Sequence, residues 1–249
     1  IPISNSLRLA MSHLSGSYFQ EIIQIMIRRI LFCLSLLTVA ICTSGNAKGA
    51  ESDETKAATK AFHQLIDNEW QWTLNDDPEF ASWLGDHRYD NRWQDVSLDA
   101  LQRRHEYRQS VLEHLAKIDS RLLSKQDRIS YELFRGQYQN TIEAFKFGWH
   151  LVPLTQRGGI QDTSSLASSL RFETVKDYQA WELRLFSFPD YMDQTLALMQ
   201  EGVDRKIVHA RVIMTRLPAQ IRRQIVDDPT KSLFYKPYRD MPDSISVEK

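Results

Sequence analysis

Cysteine is almost absent from these 249 residues. The two present, Cys33 and Cys42, lie near the start, so there is no disulfide framework and no pair of C-x-x-C motifs for structural zinc. Glycine (9) and proline (8) are too sparse for a collagen-like or disordered linker protein. Neither charge sign dominates, with 31 Lys+Arg against 32 Asp+Glu. Gripping phosphate backbones takes a basic surface, so nucleic acid is not an expected partner. The apolar run Ile30 to Cys42 has 13 residues, short of the roughly 20 that a membrane-crossing helix needs. What remains, 42% hydrophobic and 25% charged, is the composition of an ordinary soluble globular protein, and the length suits one domain with an appendage.

The first fifty residues read as an appendage. Met26, with Arg28 and Arg29, opens a basic region followed by the apolar run. Gly45-x-Ala47 and Ala47-x-Gly49 then offer the small residues that a signal peptidase accepts. Residues 26–50 are therefore expected to be a secretory signal, and 1–25 a non-native or translated upstream extension. An uncleaved anchor is the competing reading, whereas Ile41 before Cys42 argues against lipidation. Removal of residues 1–50 takes both cysteines with it, which suits an oxidising compartment. The expected location is exported, periplasmic or extracellular, with no stable membrane span left after cleavage.

From residue 51 onward the pattern is helical. Ala58, Phe62, Leu65, Ile66 and Trp70 predict a helix from about Asp53 to Leu74. Asp77-Pro78 predicts the cap and first residue of a short helix that stops at Gly85. Ser97 caps a third, and Ser124 to Asp127 resembles a capping box for a fourth that Gly148 ends. Residues 149–171 lose periodicity and read as a long loop with a helical turn near 165–170. Thr174 and Asp177 start another helix, closed by Pro189, and Tyr191 to Val203 forms the next. Ile207 to Val226 is expected as one long helix kinked at Pro218. Beyond it, Phe234, Tyr235 and Tyr238 read as an exposed aromatic connector with nothing to pack on. No segment alternates with period two, so the fold class expected is all-α, an irregular multi-helix array.

Signatures of common chemistries are missing: no G-x-S-x-G, no phosphate-binding loop and no G-x-G-x-x-G. The closest approach to a zinc-protease helix is His105-Glu106 with Gln109 at the second histidine position, and neutral glutamine is a poor zinc ligand. His63 and Asp67, one turn apart, make two ligands at most, and adjacent Glu113 and His114 point apart. Two loops concentrate polar groups. The first, between two helices, carries Asp86, His87, Arg88, Tyr89, Asp90 and Trp93. It reads either as a binding loop on a rigid scaffold or as a connection whose acids bond local backbone donors. The second, Gln156 with Gly158 and Gly159, could admit a partner close to its backbone or be a plain turn.

Taken together, several short motifs resemble a known family. They are Pro78-x-x-Ala81-x-x-Leu84-Gly85-Asp86-His87-Arg88-Tyr89-Asp90, Leu123-Ser124-x-x-Asp127-Arg128 and Pro153-Leu154-x-Gln156-x-Gly158-Gly159, followed by Asp177-Tyr178, Phe188-Pro189-x-Tyr191-x-Asp193-Gln194, Met199-x-x-Gly202 and Phe234-Tyr235-Lys236-Pro237. In order and spacing they resemble bacterial domain of unknown function 885, a family grouped with zincin-like metallopeptidases, from about Phe62 onward. The resemblance implies an all-helical protein about twice as long as residues 51–249, with zinc held by a His-Glu segment and a Pro-Gly-His segment in its other half. Nothing here matches those segments, so no catalytic residue, metal ligand or cofactor is assigned to this chain, and zinc is expected only in a full-length relative. Val208-His209-Ala210-Arg211 departs from the proline-arginine pair of such relatives. The expected partners are the missing C-terminal half and, in the full-length form, a peptide substrate. The two polar loops are the candidates to face the cleft.

Overall fold

The computed structural model describes residues 52–245; the signal-peptide and upstream readings lie outside the described residues. Among the described residues the only β pairing is an isolated bridge between Thr155 and Gly158, and the rest is helix, 3-10 turn and loop. The all-α expectation is met.

The first helix, α1 (Asp53–Asp76), starts where Ser52 accepts a hydrogen bond from the Thr55 amide. Asp77 then caps α2 (Pro78–Trp83) through the Phe80 amide, with Pro78 in the first turn where its missing N–H costs nothing. Gly85 ends it at φ 84°, a left-handed conformation that a side chain would resist. Ser97 caps α3 (Leu98–Ala116), and Ser124 caps α4 (Lys125–Phe145) through the Asp127 amide, both at the residues expected. The apolar faces of α1, α3 and α4 meet over Phe62, Leu115, Leu123 and Tyr131, all buried, with Leu65, Ile66, Leu112, Ile118 and Phe134 packed around them. Removing water from side chains of this size stabilises by about 1.5–3 kcal/mol each, which makes this cluster the main apolar anchor of the first half.

The second half departs further from expectation. The 149–171 stretch is more ordered than a loop: 3-10 turns cover Trp149–Leu151 and Ile160–Ser168. Short polar side chains drive the longer one, with Thr163 and Ser165 hydroxyls donating to carbonyls three residues back. Thr174 and Asp177 form the expected capping box of α5 (Val175–Phe186). Pro189 does not close that helix. It sits in the first turn of α6 (Phe188–Asp204), with Ser187 as the shared junction. The expected long helix 207–226 is likewise corrected to two short ones, α7 (Arg211–Met214) and α8 (Leu217–Arg222), with Pro218 opening the second rather than kinking one. A proline without an amide hydrogen is cheap in a first turn and costly inside a helix, so the chain breaks before it.

The aromatic connector is corrected at Phe234 and Tyr238, while Tyr235 is exposed as expected. Phe234 stacks on Trp181 (6.2 Å) and packs on Phe188 (5.1 Å), while the Trp181 indole donates to the Phe234 carbonyl at 3.0 Å. Tyr238 meets Tyr178 at 5.7 Å, in the short α9 (Lys236–Arg239). Trp93, Trp181, Phe188 and Tyr191 complete this second, aromatic core.

Candidate functional site

The best-organised polar constellation is built on the turn after α2. Asp86 accepts from the Arg88 amide at 3.2 Å and starts a single 3-10 turn, His87–Tyr89. The Arg88 guanidinium folds back on the same carboxylate at 2.6–3.0 Å and also donates to Gln71. The Arg88 side-chain hydrogen bond to Asp86 holds that carboxyl below its ordinary range. The Arg88 and Arg92 guanidinium groups lie over the Tyr89 ring at 5.2 and 5.1 Å, in cation–π contact.

Inside this shell lies a second chain of contacts. His87 Nδ1 is 2.7 Å from Asp90 Oδ2, and Asp90 Oδ1 is 2.5 Å from the buried Ser82 hydroxyl. Ser82 Oγ accepts in turn from Arg184 Nη2 at 2.9 Å, and the same nitrogen donates to the Tyr89 carbonyl at 2.8 Å. Arg184 is 0% exposed, yet its Nε and Nη1 have no hydrogen-bond partner. Its guanidinium lies 5.5 Å from the Trp93 ring, whose indole N–H donates to the Arg184 carbonyl at 2.7 Å. Burial pushes the Arg184 pKa down, opposed by the negative charges of Glu79 and Asp90. Glu79 is pushed up to about 7, chiefly by burial and then by Asp77, while hydrogen bonds from backbone amides and the charge of Arg184 pull the other way. A buried cation that is incompletely paired is costly. Here it is spent on fixing the turn that presents His87.

The result is an imidazole that keeps 41% of its side chain exposed while its Nδ1 is held by a nearly buried carboxylate. Nδ1–H donation to Asp90 leaves the Nε2 lone pair free to accept a hydrogen bond or a proton.

A second buried network lies along α1. Glu69 is 4% exposed and accepts from the hydroxyls of both Tyr107 and Tyr138. Burial, followed by these contacts with Glu69, raises both phenols well above their ordinary value. Arg104 pairs with Asp76 at 2.6 Å and donates to the Asp95 carbonyl, tying α3 to the end of α1.

The other candidate loop is a tight turn. The Thr155 amide donates to the Gly158 carbonyl at 2.8 Å, Gln156 Oε1 accepts from Arg216, and its carbonyl accepts from Gln220. Gly159 sits at φ 142°, where an added Cβ would meet Leu154 at 2.6 Å and Gln161 at 2.8 Å; Gly158 has open space instead. The close approach at Gly159 is thus to the chain itself. The Asp86–Trp93 turn is anchored on α1, α2 and α5, and the Gln156–Gly159 turn on α8 and Gln161.

The histidines find partners that sequence spacing did not indicate. His63 bonds Asp127 of α4 at 3.0 Å rather than Asp67, and His105 stacks on Phe145 at 4.2 Å. Among the described residues, no three His, Cys, Asp or Glu side chains converge on a point where they could hold a metal ion.

A family model described as bacterial protein of unknown function (DUF885) matches residues 78–249, more than half of the chain. The chain belongs to this family. The match begins at the first residue of α2, so it takes in both candidate loops and Arg184 but leaves out all of α1, with Glu69. No curated protein matches the chain.

Sequence reasoning missed Arg184, Ser82, Glu79 and Glu69. A signal for two of them was there: Arg184 follows Tyr178 and Trp181 on one helical face, and Glu69 lies two turns after Phe62. A charge inside an apolar stripe marks a buried polar group.

Proposed function

We propose that the helical region is one wall of the substrate cleft of an exported, zincin-like hydrolase acting on peptides, in which a further segment supplies the zinc motif. The single observation behind this reading is the Arg184–Ser82–Asp90–His87 relay. It holds a solvent-facing imidazole in a defined orientation from a rigid, buried base, as a group that meets substrate requires. In this reading His87 accepts a hydrogen bond from, or takes a proton from, a group of the bound peptide. The described residues do not offer the ligand set that zinc needs, so in this reading the metal would be held by the further segment.

The test has two stages. The purified chain should contain no stoichiometric zinc and should not cleave a mixed fluorogenic peptide library; stoichiometric zinc retained by this polypeptide would overturn the reading. Sequencing the gene past the codon for Lys249 should then reveal a His-Glu and a Pro-Gly-His segment. Supplied in trans or as the continuous chain, that segment should give hydrolysis that His87→Ala lowers.

One observation favours a second reading, a non-catalytic helical binding or scaffold domain. Phe234 and Tyr238 close over Trp181 and Tyr178 instead of waiting for another partner. That reading predicts cooperative unfolding of this chain on its own. The cleft-wall reading predicts that hydrophobic dye bound at the exposed Leu183 and Phe186 of α5 and Met192 and Leu196 of α6 is displaced when the further segment is supplied.

A further inference from the structure

The 3-10 run Ile160–Ser168 turns once every three residues, so Gln161, Ser164 and Ala167 stack on one face, and all three are buried. An apolar stripe is the stable choice for such a face, and Ala167 conforms to it. Gln161 is tied down, its Nε2 donating to the Thr155 carbonyl at 2.7 Å. Ser164 is not. It is 5% exposed, and its hydroxyl makes no hydrogen bond among the described residues. The hydroxyls on either side, of Thr163 and Ser165, both donate to carbonyls three residues back. A buried hydroxyl without a partner destabilises a fold, whereas alanine in the same place does not. Folding alone therefore does not explain Ser164.

Ser164 lines a pocket of about 300 Å³, at the lower end of the roughly 300–1,000 Å³ that suits small molecules. The 3-10 run forms one wall. Gln224, just after α8, with Leu233 and Lys236 forms the other. Phe234, next to Leu233, fixes that second wall by packing on Trp181 and Phe188. Asp162, Ser168 and Gln224 also face the pocket, and their side chains make no hydrogen bond among the described residues. Four uncommitted polar side chains thus surround one small volume, and one of them is buried.

We propose that this pocket binds a saccharide unit. Sugar hydroxyls both donate and accept, so a single ring can meet a serine hydroxyl, a carboxamide and an acceptor-only carboxylate at once. The C–H face of such a ring is apolar enough to rest on Leu233, which is 53% exposed. An anionic ligand fits worse. Asp162 would repel it, and Lys236, the one cation among the described lining residues, pairs with Asp240 at 3.0 Å. A metal ion fits no better, since no three His, Cys, Asp or Glu side chains converge among the described residues. The proposal does not depend on the cleft-wall reading.

The test is saturation-transfer NMR of the full chain with glucose, galactose, mannose and N-acetylglucosamine in turn. At least one of the four is expected to receive magnetisation from the protein. Ser164→Ala should lower the affinity for that sugar by about tenfold, the contribution of one buried hydrogen bond, while Tm stays at or above that of the parent. Ser168→Trp, at an exposed position, should fill the pocket and abolish the signal with Tm unchanged. No transfer to any of the four sugars, or transfer that either variant leaves intact, would overturn the proposal. So would a lower Tm in Ser164→Ala, because the hydroxyl would then serve the fold. Displacement of the sugar by an equal concentration of triglycine would overturn it in favour of a peptide subsite. Displacement by inorganic phosphate would overturn it in favour of an anion site.

Discussion

Arg184 is where the fold can be tested most directly. Replacement by alanine removes two charge-assisted hydrogen bonds, to Ser82 Oγ at 2.9 Å and to the Tyr89 carbonyl at 2.8 Å, and empties a fully buried volume. Hydrogen bonds to charged groups contribute about 1.5–3 kcal/mol each, against which stands relief from burying a cation with two idle nitrogens. We expect Arg184→Ala to cost about 4 kcal/mol, roughly half of it from the cavity. Arg184→Met fills most of that volume without the charge and should cost about 2 kcal/mol or less. For a domain of this size, about 2–4 °C of Tm follows each kcal/mol, so thermal unfolding separates the two variants. The decisive assay is amide hydrogen exchange over residues 87–90. If the guanidinium organises the turn, Arg184→Met should speed exchange there even where global stability is little changed. Unaltered protection of the turn in Arg184→Met would refute the reasoning, and the relay would be a consequence of packing rather than its purpose.

Two further outcomes follow from the same geometry. Glu79 has an ordinary pKa of 4.5 and about 7 in the fold, so between these values the folded state keeps a proton that the unfolded state has released. Its contribution is fully present below about pH 4.5 and is lost as pH rises through about 7, by no more than ~3 kcal/mol after allowance for residual solvent contact. Glu79→Gln should flatten that part of the stability–pH curve measured by urea unfolding; an unchanged slope would show that Glu79 is not the group responsible. Gly159→Ala should destabilise by about 2 kcal/mol, because φ of 142° and contacts of 2.6 and 2.8 Å to Leu154 and Gln161 leave no room for a methyl group. A Tm within a degree of the parent would mean that the turn relaxes freely.

Local chemistry was legible in the residue order wherever a helix end is set by its own neighbours. Asp77 with Pro78, Ser97, Ser124 with Asp127, Thr174 with Asp177, and Gly85 were all readable, because a side-chain oxygen two or three residues from a free amide needs no distant partner. Proline was read less well. Pro189 and Pro218 could end a helix or begin one, and only the packing around each decided that both begin one. The polar loop after α2 could be picked out by composition, but its organisation could not. His87 and Asp90 are near in sequence, whereas Arg184, which holds their turn, is about a hundred residues from Ser82.

By itself, then, the residue order determined an all-helical class, most helix starts and the location of two polar turns, since propensity, caps and apolar periodicity act over a few residues. The tertiary structure alone decided that Phe234 and Tyr238 close an aromatic core, that Glu69 and Arg184 are buried, and that the turn at Gly148 sits on Ile207. Burial depends on which distant surfaces meet, and no local pattern encodes that.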